Sequence, residues 1–493
     1  MNIIHGINGP IITATSSGLA VAEVVKIGER MLEGEVISLL HGIATIQTFE
    51  STAGLSPGMP IVGSGQRLSV TMRPGVVGQI FDGIMRPLDS DMDDLWPAHI
   101  TVTVGQHLSG GDIYAEVSET PLITFRAMVP PGVSGTVTHV ATGTEAFACN
   151  DTIVILDGDT HLTLSHKWPI RTPRPIKHRQ ALTQPLVTGQ RVIDTFFPIA
   201  KGGTAMLPGG FGTGKTITQH QLAKWCDADL IVYIGCGERG NEMTDVLESF
   251  ARLKDPKRNR PLLERTILIA NTSDMPVAAR EASIFTGITI AECYRDMGYH
   301  VAIMADSTSR WAEALRELSS RLGEMPAEEG YPAYLASRLS AFYGRAGYVT
   351  NLNGTEGSVT IIGAVSPQGG DFTEPVTQYT RRFVQCYLAL DKRLAYAHHF
   401  PAINWIDSYS SYPPAYKGCE ELREKAMAIL LEEHELLEVV KILGTDGLTE
   451  RQQNVLMLAK AIRQGFLQQN AYDPKDAYTP PYEQFLMLGS IMG

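Results

Sequence analysis

The sequence predicts a multidomain α/β protein. Short apolar runs broken by Gly, Pro and Asn fill roughly the first 165 residues, strand-like runs alternate with helical stretches from about 201 to 405, and helical spacing takes over from about 406 to 493. Strands alternating with helices imply βαβ units and a mostly parallel sheet. The loop Gly209-Gly210-Phe211-Gly212-Thr213-Gly214-Lys215-Thr216 lies between the first such strand and helix, where an open α/β sheet holds its ligand.

The composition bounds what this fold can do. A chain of 493 residues implies two to four domains, and 44% hydrophobic with 19% charged residues fits a globular protein with sizeable cores. A formal net charge of −12 argues against nucleic acid as a partner through a basic surface. The six cysteines (Cys149, Cys226, Cys236, Cys293, Cys386, Cys419) form no C-x-x-C pair, so neither zinc nor a disulfide framework is expected, and a reducing cytoplasm is. Met1-Asn2-Ile3-Ile4-His5-Gly6 lacks the basic start and apolar core of a signal peptide. No apolar run approaches the roughly 18 residues of a membrane helix, so any membrane link is expected to run through a partner.

Residues 1–70 carry turn signals at Gly9-Pro10 and Pro57-Gly58, with strands expected at 19–25, 33–39 and 44–49. They read as an N-terminal β-barrel with a structural or ring-forming role. Residues 71–185 read as a linker and a β-rich bulge. Asp89-Ser90-Asp91-Met92-Asp93-Asp94 begins like a calcium loop, but its sixth position is Asp94 and its twelfth Ile100, so a solvated turn is the better reading. The turns at 104–113 and 130–137 resemble those of lipoyl- or biotinyl-type barrels, yet no lysine lies between Lys26 and Lys167 to serve as a swinging arm. Residues 186–405 read as the P-loop nucleotide domain, with strands at 230–235, 266–270, 300–305 and 357–363 and helices at 217–225, 278–297 and 309–322. Residues 406–493 read as a C-terminal helical domain, with one amphipathic helix over Glu420–Leu443, stopped by Gly444, and a second over 450–467.

The G-x-x-x-x-G-K-[ST] loop is the Walker A pattern. Its glycines let backbone N–H groups close around phosphate oxygens, and the helix N-terminus adds partial positive charge. Lys215 can reach the β- and γ-phosphates, and the Thr216 hydroxyl can ligate Mg²⁺. An accidental glycine turn would not carry an apolar strand before it and a helix after it. Asp306, at the tip of Val301-Ala302-Ile303-Met304-Ala305, fits a Walker B carboxylate; the plainer reading is a helix cap in Asp306-Ser307-Thr308. Glu238, in a glycine-rich loop at a strand end, can reach an attacking water, with Arg239 and Glu242 beside it. Arg310 could approach a γ-phosphate, against the plainer reading of a surface helix arginine. Cys236 reads as an inert thiol, and His398 with His399 as a surface pair rather than a metal site.

These motifs together with GCGERGNEMTD (235–245), ANTSDMPVAARE (270–281), MADSTSRWAEALRE (304–317), EMPAEEGY (324–331), FDGIMRPLD (81–89) and FLQQN (466–470) closely resemble the catalytic A subunit of V/A-type rotary ATPases, over nearly the whole chain. The resemblance implies a β-barrel, a bulge domain, a RecA-like nucleotide domain and a C-terminal helical domain. It implies three A subunits alternating with three B subunits around a central stalk, with peripheral stalks and a membrane sector reached through other subunits, at the cytoplasmic face of a membrane. ATP or ADP would be the substrate and Mg²⁺ the cofactor, with hydrolysis or synthesis coupled to proton or Na⁺ transport. The loop residues Gly209, Gly210, Phe211, Gly212, Thr213, Gly214, Lys215 and Thr216, with Ile217, would bind nucleotide. Thr216 and Asp306 would hold Mg²⁺, with Glu242 behind them. Glu238 would orient the water, with Lys215, Arg239 and Arg310 at the phosphates. Phe400 would pack on adenine, and Phe466 or Tyr472 would complete that pocket. The arginine finger would come from the neighbouring B-type subunit, which lacks an intact P-loop.

Some features depart from the family pattern. The stretch from Asp89 to Leu95 and the segment near 412–420 are shorter, the turn at 445–450 is thin, and the chain stops at Gly493 where relatives usually continue with further helices. Thr213 stands where many eukaryotic members carry a cysteine, so their redox inhibition is not expected. The alternative is a homohexameric type III secretion or flagellar-type export ATPase, and a third reading is a ring protein that only binds nucleotide. The β-rich segment at 97–165 with the GERGNE and MADSTSRWAE runs argues against the former. The full Lys215, Thr216, Glu238 and Asp306 set argues against the latter.

Overall fold

The computed structural model describes residues 2–493 except 89–91, 93, 94, 142–145, 256, 445 and 446, and the side chain of Leu443. The acidic 89–94 stretch and the start of the 445–450 turn therefore lie outside the described residues, Met92 apart. The chain divides into two compact units, one of residues 1–180, 229–254 and 259–363, the other of 181–228, 255–258 and 364–493.

The first unit begins with a closed barrel of six strands: Asn2–Asn8, Ile11–Thr15, Glu23–Ile27, Leu32–Leu40, Ile43–Thr48 and Pro60–Arg67. Alternation points every second side chain inward. Ile4, Ile12, Ala14, Val25, Ile27, Val36, Ala44 and Ile46 form the barrel core, and each buried Val or Ile contributes about 1.5–3 kcal/mol. Two of the expected strands stand within a residue of their predicted ends. The one expected at 19–25 starts instead at Glu23, because Glu23 Oε2 accepts the Ala20 N–H at 2.8 Å and folds the chain before it into a turn.

The β-rich segment that follows is a set of small antiparallel sheets, among them Ile113–Ser118 with Thr124–Met128 and Ser134–Val140 with Val154–Leu156. Earlier, within the stretch read as linker, Ile80–Phe81 adds a parallel edge strand beside Thr266–Thr272. Two residues are too short for any periodicity to show, so this strand has no sequence signal.

The Glu119 carboxyl, just after the strand Ile113–Ser118, accepts hydrogen bonds from Val77 N–H at 2.8 Å and from the Tyr294 hydroxyl at 2.9 and 3.1 Å. Desolvation raises its pKa from 4.5 to about 7, against the pull of those hydrogen bonds. A raised folded pKa means that the folded state holds the proton more tightly. Its contribution is therefore full below pH 4.5 and is lost as pH rises through about 7. We expect Glu119→Gln to remove that fall, raising the melting temperature relative to the parent by roughly 2–4 °C at pH 8 and by little at pH 5. Equal shifts at both pH values would contradict this.

The rest of the unit is a parallel sheet in the order Glu356–Val365, His300–Asp306, Leu230–Glu238, Thr266–Thr272, Ile80–Phe81. The helix Val277–Asp296 is buried at every residue but Arg280, and its buried carboxylates are ion-paired, Glu281 with Arg171, Glu292 with Arg345 and Asp296 with Arg174. Glu238, Thr272 and Asp306 all stand at the carboxyl ends of their strands, the edge where such sheets carry chemistry.

The second unit contains the strand Thr204–Pro208, parallel to Cys386–Tyr387, which pairs antiparallel with Tyr409–Ser410. Its C-terminal part is helical: Glu420–Leu443, Glu450–Ile462 and Pro481–Met492. Thr449 and Gln452 form a reciprocal cap on the second of these. The helix expected over 450–467 ends at Ile462 and continues as a wider π turn, Arg463–Leu467. The third helix is not among the sequence expectations, although Pro481 at its first position is a start signal.

Candidate active site

The phosphate loop is built within the second unit. Thr204–Pro208 is buried throughout, and the chain then turns through Gly212 (φ +80°) and Gly214 (φ +81°), left-handed conformations that favour glycine, before the helix Lys215–Trp225. The Thr213 hydroxyl donates to Gly210 O at 2.8 Å, so this buried side chain braces the loop from inside, and the Gly209 N–H is anchored on Val365 O at 3.0 Å. A Cβ on Gly209 would stand 2.6 Å from Thr213 Oγ1 and 2.9 Å from Leu390, which requires glycine there. Lys215 donates its ammonium to the Ser366 hydroxyl. Thr216 and Ile217 are exposed at the helix start, and Phe211, 96% exposed, caps the loop tip. Nothing in the sequence marks Ser366 or Lys392 as neighbours of this loop. Lys392 Cε stands 2.7 Å from where a Gly210 Cβ would be.

Beside the loop, in the same unit, is a cavity of about 480 Å³ whose lining includes Gly214, Ile217, Gln221, Phe400, Pro401 and Tyr472. The Phe400 ring comes within 3.4 Å of a Cβ placed on Gly214. Tyr472 is 80% exposed at its mouth. Phe466 is not part of this pocket: it is fully buried, its ring 5.9 Å from that of Phe196. Phe466 lies in the π turn, with its ring in the core and its backbone held by Arg191, whose Nε donates to Phe466 O and Nη2 to Gln468 O. The pocket's side-chain amides, Gln190, Gln221, Gln464, Gln468, Gln469 and Asn470, are a further set that sequence reasoning misses; in FLQQN it weighs the aromatic and not the amides. His399 is buried 5.6 Å from Trp405, and burial, with Arg463 adding to it, lowers its pKa to about 4, so it is a neutral core histidine rather than half of a surface pair.

The carboxylates are built within the first unit. Cys236 pairs with Asn271 and Glu238 with Thr272, so Gly237 bulges between them with φ +72°. A Cβ there would meet Arg310 Cβ at 2.8 Å and Arg280 Cδ at 3.1 Å. Asp306 is 4% exposed and accepts from the Tyr233 hydroxyl at 3.3 Å. Burial, with the Asp306 and Glu238 charges adding to it, pushes the Tyr233 hydroxyl well above its ordinary range, which keeps it a donor. The residue that caps the helix Thr308–Arg321 is Ser307, whose side chain accepts the Arg310 N–H, so Asp306 is not the helix cap.

Arg310 is half-exposed and pairs with Glu313 at 3.0 Å. Partial burial opposes its charge, but Glu313, Glu238 and Glu242 prevail and raise its pKa. Arg239 stands exposed at the N-cap of the helix Gly240–Arg252, and Glu242 lies in that helix's first turn. The Cys236 thiol is buried, which pushes its pKa up to about 12 and makes it inert, as expected. This group can stabilise a cation and polarise a water, and the loop of the other unit can hold phosphate.

Four family profiles match in succession: the ATP synthase alpha/beta family beta-barrel domain over residues 4–65, the ATPsynthase alpha/beta subunit barrel-sandwich domain over 86–171, the ATP synthase alpha/beta family nucleotide-binding domain over 189–410, and the C-terminal domain of V and A type ATP synthase over 417–492. The chain is 56% identical over 518 residues to the V-type ATP synthase alpha chain 2 of Clostridium tetani (strain Massachusetts / E88), covering 99% of this chain and 88% of that protein. It is 52% identical over 518 residues to the V-type ATP synthase alpha chain of Halothermothrix orenii, with the same coverage. Against the A subunit of the A-type ATP synthase of Methanopyrus kandleri it is 53% identical over 520 residues, again covering 99% of this chain and 88% of that protein. Among solved structures, the assembled ATPase EscN from the enteropathogenic E. coli type III secretion system superposes with TM-score 0.76 at 22% identity, covering all of both chains. That is a likeness of fold alone.

Proposed function

The chain belongs to the A (alpha) subunit family of V/A-type ATP synthases, and from that premise we propose that it is the catalytic subunit of a rotary ATPase, coupling Mg-ATP hydrolysis or synthesis to proton or Na⁺ transport through other subunits. The observation that carries this reading is the set of groups the fold keeps for it: Lys215 and Thr216 at a helix N-terminus, and Glu238 and Asp306 at strand tips.

In this reading Lys215 and the amides of the loop bind the β- and γ-phosphates. Phe400 and Tyr472 pack on adenine. Glu238 orients the attacking water and accepts its proton, while Arg310 and Arg239 offset phosphate charge. Thr216 and Asp306 are oxygen donors, which suits Mg²⁺. Among the described residues no group of three or more His, Cys, Asp or Glu forms a metal cage, which fits an ion that completes its shell with phosphate and water. Held by Thr216 and Asp306, Mg²⁺ would supply positive charge to offset the charge that develops on the phosphates.

A B-type partner in an alternating A₃B₃ ring would supply an arginine finger, and central and peripheral stalk subunits would link the ring to a membrane sector. Among the described residues no helix is long and apolar enough to cross a membrane, so attachment at a membrane's cytoplasmic face would run through those subunits. The export-ATPase alternative shares the fold but would need only copies of this chain.

Mixing the chain with a B-type partner distinguishes the two. We expect Mg-ATP hydrolysis to rise on the order of 10³-fold or more on mixing, the scale of an arginine finger supplied by another chain. Full activity from the chain alone would overturn the rotary reading in favour of a homo-oligomer.

A further inference from the structure

The Glu238 carboxylate is only as well placed as the backbone beneath it. That backbone is a bulge, and Glu238 O accepts the Ser273 N–H at 2.9 Å. Ser273 belongs to a tight turn between the strand Thr266–Thr272 and the helix Val277–Asp296, in which Met275 N–H also donates back to Thr272 O. One side chain reaches back over this turn. Arg280, in the first turn of that helix, donates through Nη2 to Ser273 O at 2.7 Å and to Met275 O at 3.4 Å. Its stem lies across the bulge, with Cδ 3.1 Å from a Cβ placed on Gly237. Its carbonyl receives the Cys236 thiol at 3.5 Å. Arg280 thus touches both sides of the hydrogen bond that holds the Glu238 carbonyl: the turn that supplies the N–H and the bulge that presents the glutamate.

We propose that Arg280 is a positioning residue for Glu238, clamping the 273–275 turn so that the carboxylate keeps one position relative to the reacting water. This rests on the reading of Glu238 given above. A guanidinium suits the task because one planar head reaches two carbonyls while staying charged at any working pH. Neutral truncation would leave both carbonyls to water and let the turn and the bulge drift. A shift of about 1 Å at a catalytic group costs on the order of 10²-fold in rate.

The test uses the chain reconstituted with its B-type partner and compares Arg280→Ala, Arg280→Lys, Glu238→Gln and the double variant Arg280→Ala/Glu238→Gln. We expect Arg280→Ala to lower kcat by roughly 10–100-fold while Mg-ADP affinity stays within roughly threefold. Arg280→Lys, which keeps the charge and reaches one carbonyl, should regain part of that loss. The double variant should be no slower than Glu238→Gln alone, which a merely structural arginine would not produce. An unchanged kcat in Arg280→Ala, a parallel loss of affinity that would make Arg280 a phosphate ligand, or a further loss in the double variant would each overturn the proposal. If Arg280→Ala fails to fold, the Arg280→Lys split between kcat and affinity decides in the same way. Full activity in Glu238→Gln would instead overturn the reading of the site itself, whatever Arg280 does.

Discussion

In the reconstituted complex, Glu238→Gln is expected to lower kcat by about 10²–10⁴, or about 3–5 kcal/mol of barrier, while Mg-ATP still binds. The substitution keeps the size but replaces an acceptor-only carboxylate with a neutral amide, which removes the base. Glu238 ends a strand whose last register step is a glycine bulge, so the side chain is delivered at the sheet's carboxyl edge and its backbone stays tied to Ser273. Gln at this position leaves those backbone contacts intact, so affinity should not follow the rate. Rapid-mix measurement of a single turnover, with nucleotide binding followed separately, checks this. A variant that retains more than roughly a tenth of the parent rate would remove Glu238 from the chemistry.

Lys215→Ala should show the opposite pattern and lose binding first. The ammonium is held beside the phosphate loop at the helix N-terminus and donates to the Ser366 hydroxyl. A charge-assisted contact with phosphate is worth about 1.5–3 kcal/mol, so Mg-ATP affinity should fall roughly 10- to 100-fold. The loop itself should persist, because its shape depends on Gly212, Gly214 and the Thr213 brace rather than on the lysine. Equilibrium titration with nucleotide measures the effect, and an unchanged affinity would show that the amides alone hold the phosphates. Ser366 then becomes informative: it offers the lysine a hydrogen-bond partner in this structure.

Much of the site was legible in the sequence for a plain physical reason. The phosphate loop is contiguous, and its conformation follows from the φ freedom of its own glycines. Glu238 and Asp306 were legible because a buried strand of a parallel sheet is an uninterrupted apolar run, so the first charged residue beyond it marks the sheet's edge. The barrel announced itself by short apolar runs between turn signals, and the helices Glu420–Leu443 and Glu450–Ile462 by their period, while Pro481–Met492 went unread. Where local sequence was ambiguous, as at Asp306-Ser307-Thr308, either residue could have capped the helix, and only the direction of the Ser307 side chain decided it.

Other features had no local signature. Phe466 lies on a helical pattern that runs on past Ile462, where the chain instead forms a π turn and the ring packs against Phe196 rather than lining the cavity beside the phosphate loop. Ile80–Phe81 becomes a strand because the edge beside Thr266–Thr272 accepts it. Ser366 and Lys392 reach the phosphate loop from more than a hundred residues away in sequence. Arg280 and the glycine it lies across are separated by a strand and a helix. Chain chemistry that acts within a few residues, such as glycine turns, strand and helix periods and the residues at strand tips, is already present in the order of the amino acids. Which ring is buried, which carbonyl is clamped and which amide lines a pocket depend on partners far along the chain, because burial and hydrogen-bond satisfaction are settled only when distant segments pack together.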